Sequence, residues 1–225
     1  MSNIGLIIVE GFSAALALIL VRFMIKPYRM MCDVRYLGLP LGFAFLAVSY
    51  VFMGASLHFS DPVIVEKLQW LQLFTGAYAF IFLALTYYFS DKTHKRRTHL
   101  LVQALVSLSF LVLFIALAVV FMPPPSALQN YKRVDEYFRI FNMTCALYIT
   151  FYTLRRHVRR PAPETILAPL GYALLAFSQY SFLIWSLDAS YSAFIGAHII
   201  RVASLLTFLF ISFKAYFPRN WQRKN

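Results

Sequence analysis

Seven apolar segments fill this chain, and its positive charges fall almost wholly in alternate gaps between them. The segments run roughly over 4–25, 36–58, 67–90, 99–122, 134–154, 164–187 and 191–217. Each is about 20 residues long or a little more, the length a helix needs to cross a ~30 Å hydrocarbon layer at 1.5 Å per residue. Three gaps and the C-terminal tail hold sixteen of the 21 Lys and Arg residues. These are Arg22, Lys26, Arg29 and Arg35, then Lys92, Lys95, Arg96 and Arg97, then Arg155, Arg156, Arg159 and Arg160, and last Lys214, Arg219, Arg223 and Lys224. The remaining gaps and neighbouring helix ends hold only Lys67, Lys132, Arg133 and Arg139, and Arg201 lies inside a segment. Positive loops stay on the cytoplasmic side, so this pattern predicts an N-terminus outside and a C-terminus inside.

Hydrophobic residues make up 60% of the sequence and the mean hydropathy is +0.66, which rules out a soluble domain. Seven crossings and their loops use up the 225 residues, leaving no room for a kinase, nuclease or cyclase domain. A net charge of +12 would point to nucleic acid in a soluble protein. Here its sidedness accounts for it as topology plus attraction to anionic headgroups, and no nucleic-acid partner is expected. The first segment has no Lys or Arg before it, and Arg22 and Lys26 follow it, so it is expected to remain as an N-out helix. The two cysteines, Cys32 at the inner edge and Cys145 deep in the fifth segment, are read as unpaired thiols.

All seven segments are read as helices, because a lipid-facing backbone must satisfy its own hydrogen bonds. The Pro123-Pro124-Pro125 run ends the fourth helix, and Pro161 and Pro163 punctuate the gap before the sixth. The expectation is an all-α integral membrane protein forming one seven-helix domain over 1–225.

An internal repeat is also legible. Residues 40–49 (PLGFAFLAVS) and 169–178 (PLGYALLAFS) agree at seven of ten positions, 129 residues apart. At an offset of 128, Phe80-Ile81-Phe82 matches Phe208-Leu209-Phe210, and Tyr88-Phe89 matches Tyr216-Phe217. Helices one and five do not align convincingly. Both triplets would begin outside, which gives a parallel 3+1+3 plan. Its halves are about 1–90 and 134–217, joined by a linker helix over about 99–122.

Ionisable groups inside the segments are few: Glu10, Arg139, His198 and Arg201. An arginine at a helix centre costs about 2.5–3.5 kcal/mol on the insertion scale, so each of these wants a partner or water. Counted at 1.5 Å per residue, Arg139 lies roughly 6 Å below the outer surface, Glu10 roughly 9 Å, His198 roughly 10 Å and Arg201 roughly 15 Å. His198 and Arg201 share a helix face at i,i+3. If helices one and seven are neighbours, Glu10 can pair with Arg201. The candidate site is an outward-facing polar pocket for a small anionic or polar ligand, anchored by Arg201 with Glu10 as its resting counter-ion. Tyr50, Trp70, Gln72, Asn142 and Gln179 would add aromatic and amide contacts. The competing reading is a structural ion pair that fixes helix packing. Arg139 is expected to pair with Asp135 or Glu136 one turn back, or to snorkel outward.

No enzyme signature stands out. The sequence has no His, Glu or Cys cluster at metal-ligand spacing, no phosphate loop and no nucleophile elbow. Haem held by two histidines needs both at one depth, and His198 has only His58 near the rim of helix two. No cofactor or metal is expected, and the chain is read as a non-enzyme.

Three stretches carry a likeness to known proteins: Val9-Glu10-Gly11-Phe12-Ser13-Ala14 in helix one, Tyr36-Leu37-Gly38-Leu39-Pro40-Leu41-Gly42-Phe43 opening helix two, and His198-Ile199-Ile200-Arg201 in helix seven. With the topology, they resemble small prokaryotic, especially archaeal, seven-pass proteins and the seven-helix sensor regions of membrane histidine kinases. The 3+1+3 plan is similar to SWEET and PQ-loop transporters, without their Pro-Gln motif. The N-out seven-helix plan is similar to opsins, but Lys214 lies near the inner end and Leu68 to Ser90 has no carboxylate counter-ion, so retinal is not expected. The resemblance implies a sensor, receptor-like or partner-binding module of the cell membrane. With no kinase domain after Tyr216, its signal is expected to pass to a separate protein at the cytoplasmic or membrane face. The alternatives are a small-solute transporter and an accessory subunit of a membrane complex, such as a respiratory one.

Overall fold

The computed structural model describes residues 4–31, 37–90, 95–121, 131–159, 161 and 166–216. Among these residues the chain is all-helical: α1 (Ile4–Met31), α2 (Gly38–His58), α3 (Pro62–Ser90), α4 (Lys95–Phe121), α5 (Tyr131–Arg159), α6 (Leu167–Asp188) and α7 (Tyr191–Tyr216). Cys32, Pro123-Pro124-Pro125, Pro163 and the basic residues Arg35, Lys92, Arg160, Arg219, Arg223 and Lys224 lie outside the described residues. Cys145 carries a free thiol.

Several helices run past their apolar segments. Helix α1 continues to Met31, α3 starts at Pro62 and α5 spans 29 residues. Pro40 and Pro169 each occupy the third position of their helix, in the first turn, where the missing N–H has no intrahelical partner to lose.

Six helices, all but α5, are long and apolar enough to cross a bilayer. Helix α5 has the length but places Lys132, Arg133, Asp135, Glu136, Arg139 and Asn142 in its first half. It keeps Asp135, Arg139, Asn142, Ala146, Ile149 and Thr153 buried against its neighbours.

Six helices close into a ring: α1 packs on α2, α2 on α3, α3 on α5, α5 on α6, α6 on α7, and α7 returns to α1. Helix α4 stands outside it against α3, with Leu105 and Val112 buried on Tyr78 and Phe82. Only 11% of its apolar stretch is buried, so most of its surface is left to lipid. Lys67 of α3 donates its ammonium to the Val120 carbonyl at 2.7 Å, where the α4 C-terminal carbonyls gather negative charge.

Small residues set the helix spacing. A Cβ on Gly42 would meet Leu83 Cγ at 2.6 Å, and one on Gly171 would meet the Phe208 ring at 2.7 Å. Both glycines therefore let a large side chain of the next helix seat against backbone. Serines seven residues further on repeat the arrangement: Ser49 Oγ donates to the Gln72 carbonyl at 3.0 Å, and Ser178 Oγ to the Ala197 carbonyl at 2.9 Å. Across α2 and α6 these positions are 129 residues apart (171 minus 42, 178 minus 49), as in the sequence match. Their contacts on α3 and α7 are 125 apart (197 minus 72, 208 minus 83), not 128. The matched Phe-x-Phe motifs therefore do not hold equivalent places against α2 and α6, and Phe217 of the matched Tyr-Phe pair lies outside the described residues. Aromatic residues are common enough in membrane helices to align by composition.

Candidate functional site

A polar layer crosses the ring nearer the end at which α1 starts. Counted from that end of each helix at 1.5 Å per residue, Glu10, Tyr50, Gln72, Arg139, Asn142, Gln179 and Arg201 all fall roughly 9–17 Å deep. Below it the bundle is filled by aromatic rings. Phe43 and Phe208 lie 5.3 Å apart between centroids, Tyr172 and Phe208 4.6 Å, and Tyr87 and Tyr172 5.4 Å. The layer is thus closed toward the far end.

Its centre is the seam between α1 and α7. Arg201 Nη2 donates to Glu10 Oε1 at 2.7 Å, and His198 Nδ1 lies 2.8 Å from the same nitrogen and 3.3 Å from Glu10 Oε1. Glu10 is fully buried, and His198 and Arg201 are each 4% exposed, so the pair is screened by protein rather than water. The same guanidinium lies over the Tyr50 ring, 4.4 Å from its centroid.

A second arginine approaches from α5. Arg139 Nε donates to Asp135 Oδ2 at 2.7 Å, and its guanidinium stands 4.7 Å over the Phe182 ring. Arg201 stands 5.7 Å from the same ring. Phe182 therefore spaces two cations, each held by a carboxylate one turn away or across the seam. Arg139 does not snorkel: it is 7% exposed and faces inward.

Both arginines line one cavity of about 40 Å³, together with Tyr50, Gln72, Asn142 and Gln179. Five of the eight residues singled out from sequence thus meet in one place. Glu10 and His198 sit behind Arg201. Trp70 is elsewhere, stacked on Phe74 at 5.9 Å and edge-on to Tyr131 at 5.5 Å. The layer has more hydrogen-bonding capacity than internal partners: Glu10 Oε2, Asp135 Oδ1, Asn142 Oδ1 and Arg201 Nε are buried with no partner among the described residues. Arg139 was undervalued in the sequence. Its spacing from Asn142, i,i+3 on one face, was the available signal.

A separate groove of about 770 Å³ runs along the outside of the α1–α7 seam, lined by apolar side chains and by Tyr191 and His198. Among the described residues no group of His, Cys, Asp and Glu is placed to hold a metal ion.

Comparison with protein-family models, with curated proteins and with solved structures finds no match. The fold and its hydropathy define a multi-pass helical membrane protein.

Proposed function

We propose that this chain is a non-enzymatic, seven-pass sensor or receptor-like protein of the cell membrane whose ligand is a small anion. The observation that carries this reading is the convergence of Arg139 and Arg201, from the two helices that flank α6, on one cavity of about 40 Å³. That volume takes about one to a few waters or a small anion. Drug-sized ligands occupy about 300–1,000 Å³. An anion between the guanidiniums competes with Glu10 for Arg201. Since Glu10–Arg201 ties α1 to α7, binding would loosen that seam, and α1 would report the ligand to a partner.

In this reading α5 is the seventh crossing. Its polar side faces the cavity, which supplies what lipid would not. The N-terminus is outside and the C-terminus inside, and the basic inner face contacts anionic headgroups or a cytoplasmic partner.

The test is thermal unfolding of the protein in nanodiscs with chloride, nitrate, formate or sulfate, using gluconate as the reference. A saturable shift with the small anions, lost in Arg139→Gln, is the expected result. If no anion shifts the midpoint and Arg201→Ala only lowers stability, the cluster is a structural ion pair and the ligand reading fails.

A second reading is a small-solute transporter of the parallel 3+1+3 type. It is favoured by the paired Gly42/Gly171 and Ser49/Ser178 contacts and by the position of α4 outside the ring. It requires the Tyr172–Phe208 plug to open, and solute flux in liposomes decides between the two.

A further inference from the structure

The two arginines that line the cavity are already balanced. Arg201 holds Glu10 and Arg139 holds Asp135, each at 2.7 Å. All four side chains are buried, and two guanidiniums with two carboxylates sum to zero charge. An anion that enters leaves this layer with one negative charge too many, and a buried charge without a partner is strongly disfavoured. We infer that the small anion binds together with one proton, which the Glu10–His198 pair takes up as Arg201 turns from Glu10 to the anion. The coupling rests on the small-anion reading above, and it makes the site respond jointly to the anion and to acidity.

Glu10 is the carboxylate whose cation the anion takes. It is fully buried and fixed in place. A Cβ on Gly54 would lie 3.3 Å from Glu10 Cβ, so the glutamate stem sits against the α2 backbone and does not follow Arg201. His198 Nδ1 lies 3.3 Å from Glu10 Oε1. A proton added to this pair rests on carboxyl or imidazole, and either arrangement removes one negative charge. The Phe194 and Phe182 rings meet the imidazole edge-on, at 4.5 Å and 5.1 Å, and keep it beside Glu10. Asp135 differs. Arg139 binds it through Nε and has its Nη pair besides, so Asp135 keeps its cation when an anion arrives.

The neighbouring helices turn ionisable groups to the pair from three directions. From α2 comes Tyr50, whose ring lies 4.4 Å from the Arg201 guanidinium. From α7 comes Arg201, 2.8 Å from His198 Nδ1. From α5 comes Arg139 with Asp135, across the uncharged Phe182 ring of α6. Both guanidiniums repel a proton on the pair. An anion between them offsets that repulsion, so anion and proton bind cooperatively.

The experiment titrates nitrate against the full chain in phosphatidylcholine nanodiscs, reading the unfolding midpoint across about pH 5 to 8. Nitrate stays an anion throughout and the lipid stays zwitterionic, so any pH dependence belongs to the protein. The bound state carries one more proton, so nitrate should bind more tightly as pH falls, by about threefold to tenfold per pH unit. In a weakly buffered sample, adding nitrate should remove protons from solution, up to about one per anion bound. Glu10→Gln fixes the pair at its proton-loaded charge, so nitrate affinity should no longer follow pH. Asp135→Asn should keep the dependence. A nitrate shift that is the same at every pH, with no proton uptake, overturns the coupling and leaves the small-anion reading standing. A dependence lost in Asp135→Asn but kept in Glu10→Gln overturns the assignment to Glu10 and His198. No nitrate response at any pH removes the small-anion reading and the coupling with it. Should Glu10→Gln fail to fold, proton uptake by the wild-type chain decides.

Discussion

Glu10 is fully buried and holds Arg201 at 2.7 Å across the α1–α7 seam, and that makes it the most informative residue to change. Glu10→Gln leaves Arg201 buried and charged without its counter-ion, a loss of about 3–5 kcal/mol when a buried pair is broken from one side. The Glu10→Gln, Arg201→Gln double variant removes both charges and should lose less than the sum of the single changes. Equilibrium unfolding in detergent measures both. A cost below about 1 kcal/mol for Glu10→Gln would show that the carboxylate is not what holds Arg201. At the C-terminal end of α6, Ala189 adopts φ 52° and ψ 26°, the left-handed region that only glycine enters without penalty. Ala189→Gly should therefore stabilise the protein, by about 0.5–1 kcal/mol after glycine's extra chain entropy is counted. The same unfolding assay reads it.

Among the elements, α2 and α4 make opposite predictions from similar apolar sequences. Helix α2 seats Gly42 against Leu83 and the Ala79 carbonyl, the latter 3.2 Å from an added Cβ. Gly42→Val should cost about 1–3 kcal/mol as overpacking, because backbone cannot swing aside as a side-chain tip does. Helix α4 turns Phe110 and Phe114 outward, each 68% exposed to what would be lipid. Phe114→Leu should stay within about 0.5 kcal/mol. Comparable losses at both positions would mean that α4 is buried in a larger assembly. Helix α4 is the more apolar of the two, but hydropathy does not say which face of either meets a neighbour, since lipid and a protein core are equally apolar solvents.

At the scale of the whole molecule, the charge pattern makes a claim about sides that labelling can check. Cysteines at Ser60 and Ser190, in the α2–α3 and α6–α7 connections, should react with an impermeant thiol reagent added outside intact cells. One at Pro161, between α5 and α6, should react only after permeabilisation. If the Pro161 site reacts outside and the Ser190 site only after permeabilisation, α5 does not cross; if both react only after permeabilisation, α6 does not. The ring itself could not be read from the sequence. Neighbours such as α2–α3 and α6–α7 follow from short connections, but the α3–α5 and α1–α7 seams join helices distant in the chain.

Length and apolar continuity determined the helices by themselves, because a chain in lipid has few ways to satisfy its backbone. Glu10, His198 and Arg201 could likewise be picked out, since a charge in an apolar run is expensive enough to signify something. The tertiary structure alone decided what those charges face. Closing the ring brought Glu10 to within 2.7 Å of Arg201, drew Arg139 into the same cavity and left Trp70 out of it. It also put α4 outside and moved the α3–α7 correspondence from 128 to 125 residues. The division has a physical cause: burial from water acts on each helix separately, whereas the rotation and register of helices are set by side-chain fit with neighbours that the sequence does not name.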